Sequence, residues 1–244
     1  MSTKSEDPGM MKVLRDLQRS EDIKRETVSS EGLDSQLILL RDWQSNRLAN
    51  TYADLLEDKL YAPACRFFLT DVYAARDFSQ RDHDLEHLYS LLSRILPDSA
   101  IQLLLDGITV NQMTNTLDHR LLKVLVEKLG MKENLTAEMY AEGYRICDNY
   151  AERAYQIERS VKLLTDSGEL AQEPLVSPAL RLAYGPALLA GWLDLYGFLS
   201  RGYKAFHAMR DLKKFTATIA QREMRILDRI FADCPDPLEL KRAC

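Results

Sequence analysis

Apolar residues recur along this chain at steps of three and four, the pattern of helices that bury one face. From Ser35 the positions Leu37, Leu40, Trp43, Leu48 and Leu55, with Arg47 and Thr51 on the same stripe, predict a first core helix. Pro63 is suited to opening a second, because the N–H that proline lacks would be unpaired in a first turn anyway. Phe67, Phe68, Val72 and Tyr73 form its apolar side, and it is expected to end near Ala75. Ser79, with Asp82 three residues on, reads as the cap of a third helix carrying Leu85, Leu88, Leu92 and Ile95, which Pro97 closes. Asp98 or Ser99 then caps a long helix through Ile101, Leu104, Leu105, Ile108, Met113, Leu117, Leu121 and Leu125, with Gly130 as its stop.

Thr136 begins a helix read as continuous to about Gly168, through Tyr140, Tyr144, Cys147, Ala151, Ala154, Val161 and Leu164. Ser177-Pro178 and Gly185-Pro186 each read as a helix start. The second leads into Leu188, Leu189, Trp192, Leu195, Tyr196, Leu199, Tyr203 and Phe206, an apolar surface broad enough to belong at the centre of a bundle. The last helix, near Asp211 to Ala232, places Leu212, Phe215, Ile219, Ile226 and Ile230 inward and Lys213, Lys214, Arg222, Arg225 and Arg229 mostly outward, and Pro235 and Pro237 end it. No alternating β-branched run, Gly-rich phosphate loop or internal repeat interrupts this pattern. The expected fold is therefore all-α, a single bundle of about seven or eight helices over residues 35–232. An arm, residues 1–34, is expected to be flexible or partly helical, with Met11, Leu14, Leu17 and Ile23 on one side, and residues 233–244 form a tail.

Composition narrows the setting. With 244 residues, 46% of them hydrophobic, the chain can fill a substantial core. Its net charge of -5 is mild, and Lys and Arg are interspersed with acids, so no footprint for nucleic acid is present. The most apolar stretch, Pro186 to Leu199, is shorter than the roughly 20 residues a membrane span requires and contains Asp194; it reads as a buried helix, and no transmembrane span is expected. Cys65, Cys147, Cys234 and Cys244 lie far apart with no C-x-x-C pair, so they read as free thiols of a reducing compartment. Met1 to Gly9 is polar and lacks a secretory pattern, and a cytoplasmic location is expected.

The chemistry-bearing residues crowd between Arg66 and His87. His83-Asp84-Leu85-Glu86-His87 is formally H-x-x-E-H, in which two histidines four apart could share a metal while Glu86 acts as base. A third ligand is missing from the pattern, and a solvated charged face explains it better, so no metal is assigned. A di-iron site would need Glu-x-x-His on two helices, and Asp84-x-x-His87 is the nearest approach. There is no G-x-S-x-G elbow, and His83, His87, His119 and His207 are the only histidines. No cofactor is expected. Asp71, Tyr73, Arg76, Asp77, Arg81 and Asp82 surround the break between the second and third helices, where Arg–carboxylate pairs can lock the corner or an Arg-lined site can face an acidic ligand. Locking is the commoner use. Asn111, Asn115 and Asp118 share one stripe of the long helix and, with Trp192 and Tyr196, could border a polar pocket, although an interhelical hydrogen-bond network accounts for them as well.

The corner also carries a resemblance. Phe67-Phe68-Leu69-Thr70-Asp71-Val72-Tyr73 followed by Asp77-Phe78-Ser79-Gln80-Arg81-Asp82 fits F-F-x-x-D-x-Y-x-x-x-D-F-x-x-R-D, and the chain in this respect resembles an uncharacterised bacterial family of all-helical proteins. The similarity spans about Leu37 to Phe231, and Ala74-Ala75 stands where the family would place a Gly-Pro-like turn. The resemblance implies the helical fold and the importance of the corner, and attaches no activity.

The leading functional expectation is a non-catalytic helical protein that acts through protein–protein interaction or self-association. Its alternative is a ligand- or metal-binding bundle, an enzyme among the options, with an entrance near Arg76 and Arg81 and room for a small ligand. A third reading is peripheral membrane association through Trp192 to Phe206 or the basic face of the last helix.

Overall fold

The computed structural model of the chain describes residues 32–72, 97–189, 191, 193–240 and 244. The expected third helix, Ser79 to Ile95, and the arm before Gly32 lie outside these residues. Among the described residues there are nine α-helices and no strand. They are α1 (Asp34–Thr51), α2 (Ala53–Glu57), α3 (Ala62–Phe67), α4 (Asp98–Glu127), α5 (Ala137–Cys147), α6 (Tyr150–Gln172), α7 (Val176–Leu189), α8 (Leu193–His207) and α9 (Leu212–Phe231), and a single π turn, Phe68–Val72, continues α3. The all-α bundle read from the hydrophobic pattern is the fold.

Local signals set several boundaries as expected. Pro63 lies in the first turn of α3. Thr136 caps α5, its hydroxyl accepting from the Met139 amide at 3.2 Å, and Asp211 caps α9 by accepting from the Lys214 amide at 3.0 Å. After α4, Gly130 turns the chain in the left-handed region at φ 70°, which a residue with a Cβ rarely adopts. The helix itself begins at Asp98, with Pro97 rather than Asp98 or Ser99 at the cap position.

Helix α6 is central, packed on α4, α8 and α9 and more lightly on α7. One apolar cluster joins Leu48, Tyr52, Leu55, Tyr61 and Phe67 to Leu164, Phe206 and Phe215. A second joins Leu40 to Leu121, Leu122 and Leu125 of α4, Tyr140 and Tyr144 of α5, and Ile226, Leu227 and Ile230 of α9. A small third cluster, Ala100, Ile101 and Leu105, meets Leu170, Ala179 and Leu199. Three glycines allow close helix approach: a Cβ on Gly143 would lie 2.8 Å from Leu121 Cδ1, one on Gly202 would lie 2.9 Å from Phe67 Cζ, and one on Gly168 would run into the Leu212 side chain.

Five expectations are corrected. The helix from Thr136 to Gly168 is two helices, because Asp148 turns left-handed at φ 47° and Asn149 follows before α6 starts. Gly185-Pro186 does not open a helix but lies inside α7; Gly185 has no Cβ to clash with the following proline ring, so the helical backbone continues through the pair. The stretch from Pro186 to Leu199 is neither a buried helix nor the centre of the bundle. Leu189 is 90% exposed, Leu188 and Leu193 are also exposed, and only Ala205 and Phe206 of α8 are buried. Arg229 does not face outward: it is 4% exposed, and its guanidinium donates to the carbonyls of Pro235, Asp236 and Pro237 at 3.0, 3.0 and 3.2 Å. Finally, Cys234 and Cys244 are joined as a disulfide, while Cys65 and Cys147 are free.

Candidate functional site

The corner begins in the π turn. Asp71, 7% exposed, accepts from Arg201 of α8 through Nε at 2.8 Å and Nη2 at 2.6 Å, both nitrogens meeting Oδ1. Thr70 donates to Oδ2 at 3.1 Å and to the Arg66 carbonyl at 2.8 Å. Asp71 is thus an ionic tie between the end of α3 and α8, and its partner is an arginine 130 residues away that the local pattern did not suggest. Tyr73, Arg76, Asp77, Arg81 and Asp82 lie outside the described residues, as do His83 and His87.

The polar stripe of α4 diverges toward different neighbours. Asn111 is exposed. Asn115 accepts from Arg41 Nη2 of α1 at 3.4 Å. Asp118 turns to α6, where its Oδ1 accepts from Arg153 Nη1 at 2.9 Å; the pair is nearly dry, with 8% of Asp118 and 3% of Arg153 exposed. Tyr196 sits on α8 with its ring edge-to-face with Tyr184 of α7 at 5.4 Å, and Trp192 lies outside the described residues. Asn115 and Asp118 therefore serve different helix pairs, and Tyr196 belongs to the α7–α8 contact.

Around Arg153 the network is extensive. Its Nη1 also donates to Gln156 Oε1 at 3.0 Å, Gln156 Nε2 donates to Thr114 Oγ1 at 2.8 Å, and Thr114 returns to the Val110 carbonyl at 2.9 Å. The guanidinium carbon stands 4.5 Å from the ring centre of Tyr144, whose hydroxyl accepts from Tyr140 at 2.8 Å. Burial raises the Tyr144 phenol well above its ordinary range, so it stays neutral. For Arg153 burial pulls the other way, but the Asp118 carboxylate beside it offsets this and the charge is held. Arg153 Nε and both amide atoms of Asn149 are buried without a hydrogen bond. A charged, oriented guanidinium with one carboxylate, one amide and an aromatic face fastens α4, α5 and α6 together.

A second network ties α9 to α1 and α2. Glu223 Oε1 accepts from Arg47 at 2.6 Å and from the Tyr52 hydroxyl at 2.8 Å. Arg222 forks onto both oxygens of Asp54 at 2.7 Å and also donates to the Thr51 carbonyl at 2.9 Å. That fork, chiefly through its hydrogen bond, holds the Asp54 carboxyl below its usual range, whereas burial followed by Glu223 pushes the Tyr52 phenol far up. Nearby, burial and then Asp54 push the Cys65 thiol up to about 11, so it is a poor nucleophile. Among the described residues no three His, Cys, Asp or Glu side chains gather as a metal cage, and no helix is long and apolar enough to cross a membrane.

One surface remains apolar and open. Helix α7 buries Val176, Leu180 and Ala187 and turns the opposite face to solvent. Leu175, just before the helix, Leu182 and Leu189 are 72%, 74% and 90% exposed, and Leu188 and Leu193 lie beside them. A concave space of about 710 Å³ opens elsewhere, between the end of α6 and the turn from α8 to α9, lined by Glu169, Gln172, His207 and Arg210 among others. Two of its polar groups are engaged within the fold: Gln172 donates to the Phe206 and His207 carbonyls, and His207 Nδ1 meets the Ala171 carbonyl at 2.7 Å. The exposed face of α7 was missed from the sequence, where Leu188 and Leu189 read as part of a buried helix and Leu175 and Leu182 were not singled out; the heptad spacing of Leu175, Leu182 and Leu189 was the available signal.

No curated protein and no solved structure matches the chain. Residues 24–237, most of the chain, match the model of a domain of unknown function, DUF8198, and the protein belongs to the DUF8198 family.

Proposed function

We propose that this protein acts by binding another protein chain, through the exposed apolar face of α7, rather than by catalysis. The observation that carries the reading is the concentration of open leucines on and beside one helix: Leu182, Leu188 and Leu189 on α7, Leu175 just before it and Leu193 at the start of α8. Together they offer on the order of 600 Å² of apolar surface, at or above the largest patch a monomeric protein ordinarily exposes. The buried polar groups point to the same reading. Arg153, Glu223 and Asp71 spend their hydrogen bonds on neighbouring helices, as tethers do.

A double variant, Leu182→Asp with Leu189→Asp, tests this. Both side chains stand in solvent, so helicity and melting temperature are expected to hold, while assemblies seen by light scattering or by quantitative affinity capture are lost. A wild-type chain and double variant that are equally monomeric and capture the same proteins would refute the proposal. The cytoplasmic location favoured by the sequence is part of the same reading.

A further inference from the structure

We infer that the partner of the α7 face is α7 of a second copy of this chain, the two helices packing about a twofold axis near Gly185. The inference rests on the binding reading above and names its partner. Three observations select a second copy. First, the exposed positions follow a self-complementary repeat: Pro178, Leu182, Gly185 and Leu189 of α7 occupy alternating four- and three-residue steps, as a and d positions do, Leu175 in the turn before the helix precedes them by three residues, and all five are exposed. Residues at that spacing interlock with an identical set on a facing helix.

Second, α7 carries one charged residue, Arg181, among its 14. A partner chosen by charge would find almost nothing to read, whereas two identical faces meet with little repulsion, since Arg181 flanks the leucine stripe rather than lying on it. Third, the area suffices. Two copies pool on the order of 1,200 Å² from these leucines, the lower edge of a standard specific interface, before Pro178, Gly185 and Pro186 are included. Gly185 is well placed at the crossing: a Cβ there would meet nothing within 4 Å, so no side chain of its own fold occupies the space. Its bare backbone would let the helices approach closely, and a twofold axis there makes the contact isologous, residue for residue.

The test uses the full chain. Wild-type protein is expected to show a light-scattering mass twice the 28.0 kDa of one chain, falling toward one on dilution. Leu182→Asp should weaken the dimer at least about a hundredfold, since a symmetric seam feels each substitution twice. Gly185→Cys should form a covalent dimer on mild oxidation, above the background from Cys65 and Cys147 in wild type. This variant keeps the proposal testable even where an aspartate harms folding. Wild-type protein that is monomeric at every concentration overturns the self-association, and if Leu182→Asp then still loses a different captured protein, the binding reading survives alone. A dimer that persists in Leu182→Asp and does not cross-link through Gly185→Cys overturns the α7 seam.

Discussion

Replacing Asp118 by alanine puts the buried network to a quantitative test. In the native chain Asp118 Oδ1 lies 2.9 Å from Arg153 Nη1, and both residues are more than nine-tenths buried. Removing one partner of such a pair leaves an uncompensated buried charge and costs about 3–5 kcal/mol. Here the lower end applies, because Arg153 keeps Gln156 Oε1 at 3.0 Å and the face of Tyr144 at 4.5 Å. The expected loss is about 3 kcal/mol in urea unfolding, read as a lower midpoint at unchanged slope. The control is Glu152→Ala, which removes a pair of the same 2.9 Å length to Arg120 whose side chains are half exposed; it should cost under about 0.5 kcal/mol. Replacing both Asp118 and Arg153 by leucine and methionine should recover most of the loss, since an apolar pair of similar volume needs no counter-charge. A cost below about 1 kcal/mol for Asp118→Ala would refute the claim that the pair is dry and mutually dependent.

Three further outcomes follow from other parts of the fold. Gly143→Ala should destabilise by about 1–2 kcal/mol in the same unfolding assay, because the added methyl meets Leu121 and Leu125 in a core with no exposure to yield, against a helix-propensity gain of under about 1 kcal/mol. Cys234→Ser should cost about 2 kcal/mol in oxidised protein and nothing in reductant, and non-reducing peptide mapping of the wild-type protein should recover the Cys234 and Cys244 peptides linked. Stability should also fall in alkali. The Cys65 thiol is raised to about 11 in the fold, so its contribution is complete below about 8.5, where the unfolded thiol is also neutral, and is lost as pH climbs toward 11; Tyr52, raised by burial and Glu223, extends the loss above about 10. An unfolding midpoint flat from pH 8 to about 10.5 would contradict this direction.

Much of the helical frame was legible because its signals are local. Thr136, Pro63 and Gly130 act through their own backbone neighbourhood, and the apolar stripes of α4 and α9 repeat for five turns or more. The break at Asp148-Asn149 was hidden because apolar spacing continues across it from Tyr144 to Ala151, and the turn chemistry of the Asp-Asn pair was outvoted. Arg229 read as exposed because its burial depends on the tail folding back so that three carbonyls reach it.

The functional features were harder to see for a related reason. Asp118 and Asp71 were singled out, but their partners Arg153 and Arg201 lie 35 and 130 residues away and share no local motif with them. Periodicity reports which residues lie together on a helix, and it is silent on whether a neighbour covers them. Leu188 and Leu189 therefore read as core from the same pattern that correctly placed Leu121 and Leu125 there.

Amide hydrogen exchange over residues 176–189, followed in dilute and in concentrated wild-type protein, addresses the α7 face most directly. If that face is a seam between chains, exchange there slows at high concentration while α4 and α9 stay unchanged. Exchange over α7 that is identical at both concentrations would contradict the seam.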